Sequence, residues 1–469
     1  MNKEEQLKNL VISGGDERII FAKGNNYNKY FVNILDHKNL INRGSCTCGN
    51  LNPESHAILE KIQLSQFEKN FDKVVHQHVK QLWNLFHLKG KPDFEIFFAP
   101  SGSDLVYYPL LFGRLLYPDK TPLNILTCPE ELGSGSLTGA HGKYFSLYNQ
   151  FGESLNTGSF LSQNIRPNVI MFPARDEHGR INDNRSELIQ IIKESKNIPK
   201  IVNLVFGSKS GIEENLYIID EVKRPDILWT VDLCQFRNKK DLINDLLSKG
   251  VILLLTGSKF YQAPPFCGAL LVPKKLCKRL AACDPSPVKD FYNIFSSYDI
   301  PENLPNIKKQ LRPFKNMGLH LRWECALYEM IKYDRIDEEK TNAMILKWND
   351  IVFNTIKKSQ YLDPMPDMEF TNKSIISFRA MYQGQYLNNS ELKSLFKRIV
   401  SKEYSELNGY KKIFIGQPVK YENGSFLRLA IGSYDIRQYL KNEKIHLEND
   451  LKIIKIIENE VKNFKQNIS

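Results

Sequence analysis

Two side chains of this sequence have the types and surroundings needed for chemistry on a carbonyl or an amine. Lys259 follows the apolar run 251–255, and Asp232 ends a second apolar run. A lysine that is partly removed from water loses its proton more readily, so its amine can form an imine and then move protons. A carboxylate from a neighbouring strand would stabilise a protonated nitrogen opposite it. Taken singly, Lys259 fits a solvated surface charge and Asp232 fits a strand-end cap, so the hypothesis rests on the pair.

Two further features could bind anions. The Ser-Gly-Ser turn at 101–103 precedes a predicted helix over 105–116, and backbone N–H groups at a helix N-terminus attract phosphate. The same residues are also typical of a helix N-cap. Arg428 lies in an otherwise apolar run, where a guanidinium can hold a carboxylate with two hydrogen bonds or form an internal salt bridge.

From residue 94 onward, short apolar runs alternate with turns and longer amphipathic stretches. This alternation predicts an α/β fold with a mostly parallel seven-stranded sheet. The predicted strands are 94–98, 123–127, 169–172, 201–206, 227–231, 251–255 and 269–272. Ligands of open α/β sheets bind outside the carboxyl ends of the strands, so we expect one site formed by five polar turns. These turns are 101–103, 130–131, 208–211, 232–235 and 258–259.

A proline-containing stretch, 301–315, separates this region from a part of different texture. We predict a large cofactor-binding domain over 76–305 and a smaller α+β C-terminal domain over 306–469. The N-terminal segment, 1–75, is expected to contribute to the small domain or to a dimer arm. The basic amphipathic stretch 452–464 is predicted to pack on the body of the protein rather than on a membrane.

The composition is that of an ordinary globular protein. The chain has 469 residues, enough for two or three domains, and 42% of them are hydrophobic. Its net charge of +11 comes from lysines spread along the chain, so we expect no nucleic-acid partner. We see no secretory signal and no apolar segment long enough to cross a membrane, and we expect no membrane partner and a cytoplasmic location.

Three other kinds of site are disfavoured. Cys46-Thr47-Cys48 and His76-Gln77-His78 lack the spacing of zinc fingers, so we predict no metal site. Leu137 stands where a Walker loop ending in Gly142-Lys143 needs a glycine. Thr138 stands where a dinucleotide-binding turn needs its third glycine. Neither ATP nor NAD binding is supported.

The ordered set of turns resembles a known group of enzymes. The motifs, followed later in the chain by Arg428, are Ser-Gly-Ser at 101–103, Ser208-Lys209-Ser210-Gly211, Asp232-x-x-Gln235, and Ser258-Lys259 followed by Pro264-Pro265-Phe266-Cys267-Gly268-Ala269-Leu270. They resemble fold type I pyridoxal phosphate-dependent enzymes, the aspartate aminotransferase superfamily. Within it, they are most similar to the class V aminotransferase and cysteine desulfurase group.

The resemblance implies pyridoxal 5'-phosphate as the cofactor and a homodimer with the site at the subunit interface. Lys259 would form the Schiff base with the cofactor, Asp232 would bind the pyridine nitrogen, and Gln235 would approach the ring oxygen. Arg428 would take a substrate carboxylate. The residues implied to hold the phosphate are Ser101, Gly102, Ser103 and Ser258.

Two positions depart from the family pattern. The ring that stacks on the cofactor in the family has no counterpart in 128–133, and the nearest rings are His141, which we assign to this role, and Tyr144. Ser258 stands where desulfurases carry histidine. The last cysteine, Cys325, lies in a predicted helix rather than in a mobile loop, so cysteine desulfurase activity is disfavoured.

We therefore predict an enzyme that acts on an amino acid or another primary amine, with transamination as the leading reaction. A lyase that expels a β-substituent or cleaves a C–S bond is the alternative. The non-enzymatic alternative is a binding protein that retains the fold without the cofactor.

Overall fold

The computed structural model describes residues 3–21, 24, 26–45, 49–133, 135–235, 237, 240–421 and 424–466. The pair Cys46 and Cys48, considered above as thiol ligands, lies outside the described residues. Within the described part, no helix is both long enough and apolar enough to cross a membrane.

The strands fall into two sheets, one in the middle of the chain and one formed mainly by its C-terminal part. Their bounds are β1 Leu40–Arg43, β2 Phe94–Ala99, β3 Leu123–Thr127, β4 Asn168–Phe172, β5 Lys200–Val205, β6 Ile227–Asp232, β7 Ile252–Thr256, β8 Gly268–Pro273, β9 Leu362–Pro364, β10 Ile375–Tyr382, β11 Gln385–Tyr386, β12 Lys412–Val419 and β13 Phe426–Ala430.

The helices connect these strands and cover both faces of the large sheet. Their bounds are α1 Lys3–Val11, α2 Pro53–Lys61, α3 Leu64–Lys69, α4 Phe71–Phe86, α5 Tyr107–Leu116, α6 Ser136–Ala140, α7 Arg185–Glu194, α8 Ile218–Glu221, α9 Lys240–Ser248, α10 Lys274–Ala281, α11 Pro305–Lys308, α12 Met317–Asp334, α13 Glu338–Lys357, α14 Asn389–Ser401, α15 Ser433–Lys441 and α16 Glu443–Gln466.

The large sheet has seven strands in the order β2-β8-β7-β6-β5-β3-β4. The pairs β7–β6, β6–β5, β5–β3 and β3–β4 are parallel, whereas β8 runs antiparallel to both β2 and β7. The prediction of a mostly parallel seven-stranded sheet is therefore confirmed, with strand ends shifted by about one residue. Because β2 and β7 are each antiparallel to β8, the carboxyl ends of β2, β3, β5, β6 and β7 share one edge.

Alternate residues of these strands enter two separate apolar cores. Phe98, Val202 and Leu253 belong to the core on one face of the sheet. Phe97 and Ile201 belong to the core on the other face. Since both faces are buried, the strands are nearly continuous apolar runs, as in parallel sheets covered by helices.

The second sheet has the order β1-β12-β13-β10-β11, with β9 paired to β10. Strand β1 comes from the N-terminal residues and runs parallel to β12, whereas β13 is antiparallel to both β12 and β10. The predicted terminal helix forms part of α16, and its face carrying Ile453, Ile457 and Val461 is buried. This burial confirms that the helix packs on the body of the protein.

Candidate functional site

Lys259 lies directly beyond the carboxyl end of β7, on the turn that also contains the buried Ser258. Its side chain is partly buried. Among the described residues, no hydrogen bond or ion pair engages its ammonium group. A lysine that is drawn in from solvent without a fixed carboxylate keeps its amine available for reaction.

Asp232 ends β6, the strand next to β7, and its carboxylate Oδ1 accepts a hydrogen bond of 2.7 Å from the backbone N–H of Cys234. The charges of Asp232 and Lys259 both affect the pKa of the Cys234 thiol. Burial raises the pKa of its thiol well above the ordinary value, the negative charge of Asp232 adds to this, and Lys259 opposes it. Asp232, Cys234 and Lys259 therefore form one electrostatic group at the ends of β6 and β7.

The turn 101–103 lies against this group because residue 102 is a glycine. A Cβ atom at Gly102 would lie 2.9 Å from Sγ of Cys234 and 3.0 Å from Cγ2 of Thr256. Only a residue without a side chain permits this close approach of the backbone. The turn is held by Asp104, whose Oδ2 accepts hydrogen bonds from the backbone N–H of Ser101, at 2.9 Å, and from its hydroxyl, at 2.6 Å.

Gln235 lies at the same edge, but its side-chain amide is engaged by the protein. Its Oε1 accepts hydrogen bonds from the hydroxyl of Ser45, at 2.5 Å, and from Nη1 of Arg237, at 3.0 Å. Its Nε2 donates to the backbone carbonyl of Ser45 at 3.3 Å. The predicted approach of Gln235 to a ring oxygen stays a prediction, since this amide would have to exchange a partner to make it.

Arg428 is 2% exposed and lies in β13, with Ser377 of β10 and Gly416 of β12 as its strand partners. Its Nη1 donates to the backbone carbonyl of Gln417 at 3.0 Å. Arg428 is also close enough to Arg237 to act on its charge. Burial lowers the pKa of Arg237 to about 9, and the positive charge of Arg428 contributes to this shift.

Arg237 connects Arg428 to the Lys259 turn. Its guanidinium donates to the backbone carbonyl of Gln235 at 2.7 Å and to the hydroxyl of Ser45 at 3.1 Å. It also stacks over the ring of Phe260, the residue after Lys259, with 5.2 Å to the centroid. Arg237 thus contacts Ser45 of the N-terminal part, Gln235 beyond β6 and Phe260 beyond β7.

The two ring candidates lie elsewhere. His141 follows the short helix α6, and its Nδ1 lies 2.9 Å from the carbonyl oxygen of Leu137. Tyr144 is buried in the apolar core on the α5 face of the sheet. The stacking role that we assigned to His141 stays a prediction, because the described contacts connect its ring to its own helix.

The turns after β3 and β5 form a separate, closed cluster around the carboxylate of Glu131, which is 2% exposed. Ser208 donates to this carboxylate, Ser210 donates through its hydroxyl at 2.6 Å and its N–H at 2.8 Å, and Tyr421 donates at 2.8 Å. Arg175 forms an ion pair with it at 3.3 Å. Burial opposes ionisation, but Arg175 and these donors hold the pKa of Glu131 below its usual value. The five strand ends therefore do not contribute equally to one site.

The histidine motif at 76–78 is also structural. His78 is fully buried on α4, with Nδ1 2.9 Å from Nδ1 of His320 and Nε2 2.8 Å from the carboxylate of Glu324. Within the described ranges, no group of three or more metal-binding side chains comes together.

Sequence reasoning missed Arg18, which lies beside the turn 101–103. Its Nη2 lies 3.4 Å from the hydroxyl of Ser101, and its Nη1 lies 3.5 Å from the hydroxyl of Ser103. A signal was present, because two glycines precede Asp16-Glu17-Arg18 and glycine pairs often allow an unusual chain path. Nothing local linked this segment to a turn more than eighty residues later.

Comparison with known proteins supports the fold that was inferred from the motifs. No protein-family model and no curated protein sequence matches the chain. Solved structures do match. Ureidoglycine–glyoxylate aminotransferase from Bacillus subtilis is 15% identical, with a TM-score of 0.55 over 88% of this chain and 97% of that one.

Two other solved structures carry different activities on a similar fold. A cysteine desulfurase from Escherichia coli is 12% identical, with a TM-score of 0.54 over 89% of this chain and 94% of that one. Tryptophan decarboxylase from Catharanthus roseus is 15% identical, with a TM-score of 0.51 over 83% of this chain and 76% of that one. This chain therefore has the fold type I architecture of pyridoxal phosphate-dependent enzymes, as found in class V aminotransferases and cysteine desulfurases.

Proposed function

We propose that the protein is a pyridoxal phosphate-dependent enzyme that acts on an amino acid or another primary amine through Lys259. One observation carries the proposal. Asp232 is the last residue of β6, Lys259 lies beyond the end of the adjacent parallel strand β7, and the glycine turn 101–103 lies against the same two strand ends. An amine, a carboxylate and a phosphate-binding turn are the groups that hold this cofactor.

The residues at this edge fit the cofactor. The space that a Cβ of Gly102 would fill is closed by Cys234 and Thr256, so the turn places its backbone against β6 and β7. The ammonium group of Lys259 is engaged by no hydrogen bond or ion pair from the described residues. The buried Ser103 brings a hydroxyl group to the N-terminal side of α5, where an anion is favoured, while the hydroxyl of Ser101 donates to Asp104.

Each residue would have a distinct task. Bound pyridoxal phosphate supplies an electron-accepting ring for the substrate's α-carbon. Asp232 would keep the ring nitrogen protonated by offering it a carboxylate. Lys259 would bind the aldehyde carbon and, once the substrate amine displaces it, would remove the proton from the substrate's α-carbon. Arg428 would hold a substrate carboxylate with two parallel hydrogen bonds.

We propose transamination as the reaction and a cytoplasmic homodimer as the working form. Similar structures include a cysteine desulfurase and a decarboxylase by their names, so the fold does not select the reaction. The experiments must therefore separate transamination from the alternative, elimination. Arg428 supports an amino acid over a simple amine, because only the amino acid brings a carboxylate to it. The partner is therefore a small-molecule substrate.

Absorption spectroscopy tests the proposal. The purified protein incubated with pyridoxal phosphate is expected to gain a visible band, and borohydride is expected to fix the cofactor to a peptide containing Lys259. Lys259→Ala should abolish both. Lys209→Ala is the matched control, because Lys209 lies on the turn after β5 and its ammonium donates to the carbonyl of Glu130 at 3.2 Å. A wild-type protein that stays colourless contradicts the proposal.

A second measurement separates the reactions. The coloured protein is treated with single amino acids, and both the spectrum and the products are followed. Conversion to the pyridoxamine form with release of an oxo acid supports transamination. Release of an oxo acid together with an eliminated group, without that form, would identify a lyase instead.

A further inference from the structure

Arg18 is a buried charged residue beside the turn 101–103. It is 4% exposed, and its guanidinium faces the hydroxyl groups of Ser101 and Ser103 at 3.4 and 3.5 Å. These hydroxyl groups belong to the turn against which the cofactor phosphate would lie under the proposed function. An arginine 83 residues earlier in the chain than Ser101 therefore approaches this turn.

The guanidinium is held in one orientation. Asp16 accepts hydrogen bonds from Nε at 2.9 Å and from Nη2 at 2.6 Å. The rings of Phe145 and Phe266 lie 5.4 and 5.0 Å from the guanidinium carbon. Burial alone would lower the pKa of Arg18, but Asp16, together with Tyr30 and Asp104, outweighs burial and the pKa is raised, so the group stays charged.

The segment that carries Arg18 follows a fixed path. The buried Arg322 of α12 donates to the backbone carbonyls of Val11, at 2.8 Å, and Ser13, at 2.7 Å. Asn316 donates to the carbonyl of Gly14 at 2.9 Å. Gly14 has φ +65°, and a Cβ there would lie 1.8 Å from Oδ1 of Asn316, so no other residue fits this bend. These contacts place Arg18 and keep it there.

Stability alone does not account for this arrangement. A buried ion pair gains little over an apolar pair of the same size, because desolvation of the two charges offsets their attraction. A doubly charged phosphate, in contrast, benefits from a fixed cation whose donors flank its oxygens. Arg18 provides such a cation beside the turn 101–103, where Asp16 orients it and Arg322 of α12 holds the N-terminal segment.

We infer that Arg18 is a phosphate ligand of the cofactor, delivered by the N-terminal segment to the turn 101–103. The inference rests on the proposed function for the identity of the ligand. In this arrangement the backbone N–H of Gly102 and the hydroxyl of Ser103 would donate to the phosphate, and Arg18, oriented by Asp16, would supply the positive charge. The N–H and hydroxyl of Ser101 donate to Asp104. The phosphate site is then complete only when residues 11–18 are docked on α12.

The test compares ligands that differ only in the phosphate. Affinities for pyridoxamine phosphate and pyridoxamine, neither of which can form an imine with a lysine, are measured by calorimetry. Arg18→Gln is expected to weaken pyridoxamine phosphate about tenfold to a hundredfold, the range of charge-assisted hydrogen bonds, and to leave pyridoxamine within about twofold. Equal losses for the two ligands, or no loss for the phosphorylated one, would overturn the inference.

Two further variants distinguish a ligand from a structural ion pair. Asp16→Asn removes a negative charge beside the phosphate but keeps the guanidinium, so it should bind pyridoxamine phosphate as well as the wild type or better. A loss as large as that of Arg18→Gln would contradict the inference. Arg166→Gln is the control, because Arg166 is an exposed arginine stacked on Phe160, 4.7 Å from the ring centroid.

The design remains informative if Arg18→Gln does not fold. Arg18→Lys keeps the charge and replaces the two-pronged donor by a single ammonium, so the preference for the phosphorylated ligand should fall without disappearing. An unchanged preference would overturn the inference. Failure of the proposed function has a different signature: no visible band forms with pyridoxal phosphate, although pyridoxamine phosphate still binds in an Arg18-dependent way.

Discussion

Two groups of strand ends lie on the same edge of the large sheet. They differ in whether the protein supplies hydrogen-bond and ion-pair partners for their polar side chains. Beyond β3 and β5, the carboxylate of Glu131 is surrounded by donors and paired with Arg175. Beyond β6 and β7, Lys259 is not engaged by any described hydrogen bond or ion pair, and Asp232 accepts a single described one, from the backbone. The polar groups beyond β3 and β5 are hydrogen-bonded to one another. Those beyond β6 and β7 can still bind a ligand.

The difference teaches that a polar turn at a carboxyl end is not sufficient for a site. Glu131 binds donors from Ser210 and from Tyr421, which lies between β12 and β13, so this cluster joins the two sheets. Within the described ranges, no hydrogen bond or ion pair joins the charged groups of Asp232 and Lys259 to a distant element. We therefore assign a structural role to the Glu131 cluster and a chemical role to the Lys259 group.

The largest expected effect tests the structural half of this comparison. Glu131→Ala leaves Arg175 buried without its carboxylate, so we expect a loss of about 3–5 kcal/mol in the free energy of unfolding. Asp232→Ala, the matched change at the other strand ends, should cost only about 1 kcal/mol, the value of one hydrogen bond. Urea unfolding of both variants measures the difference. Equal losses would show that the two regions do not differ as described.

The second-largest expected effect tests the chemical role assigned to Asp232 and Lys259. Asp232→Asn keeps the shape of the side chain and removes its charge, so a bound ring nitrogen would lose its counter-charge. We expect a loss of about a hundredfold in kcat/KM, or about 2.7 kcal/mol at 1.36 kcal/mol per tenfold change, with the free energy of unfolding nearly unchanged. The measurement is steady-state kinetics on the best substrate of the holoenzyme. Activity within a few-fold of the wild type would remove Asp232 from its assigned role.

The smallest effect is a pH dependence of opposite sign at Asp104, beside the turn that lies against β6 and β7, and at Glu131. Burial and the nearby negative charge of Asp16 raise the pKa of Asp104 to about 6. The folded protein then binds this proton more tightly than the unfolded chain, so Asp104 makes stability fall as the pH rises from about 4 through about 6. Glu131, with its lowered pKa, makes stability fall as the pH drops below the ordinary glutamate range.

Asp104→Asn should reduce the loss of folding stability that occurs between pH 4 and pH 6. We expect a change of roughly 1–2 kcal/mol across this interval, since partial exposure screens the shift. Glu131→Gln should instead flatten the acid side of the profile. Thermal unfolding followed by circular dichroism measures the first effect between pH 4 and pH 6 and the second below about pH 4. Slopes identical to the wild type in the two variants would contradict the opposite-sign description.

Much of the fold could be predicted from the sequence, because buried strands must be apolar and turns must be polar or contain glycine. The run predicted at 251–255 is β7, and the run at 123–127 is β3. The direction of a strand is not encoded in this way. Strand β8 runs antiparallel to its neighbours, although its apolar run reads like those of the parallel strands.

The site was predicted in part for the same reason. Lys259 and Asp232 come to the same edge, where both act on Cys234, because their strands are neighbours in the sheet, an arrangement that two apolar runs close together in the chain favour. The grouping of five strand ends into one site was too simple. Whether a turn binds a ligand or another turn depends on the side chains that arrive from elsewhere.

The sequence by itself determined the strands, the turn residues and the position of Lys259 at a strand end, since these follow from local burial and backbone preference. Only the tertiary structure decided which polar groups meet. It brought Tyr421 to Glu131 and Arg18 to Ser101, contacts between residues far apart in the chain. Such contacts arise from packing of whole elements against one another, and no local pattern of residue types records the partner that packing selects.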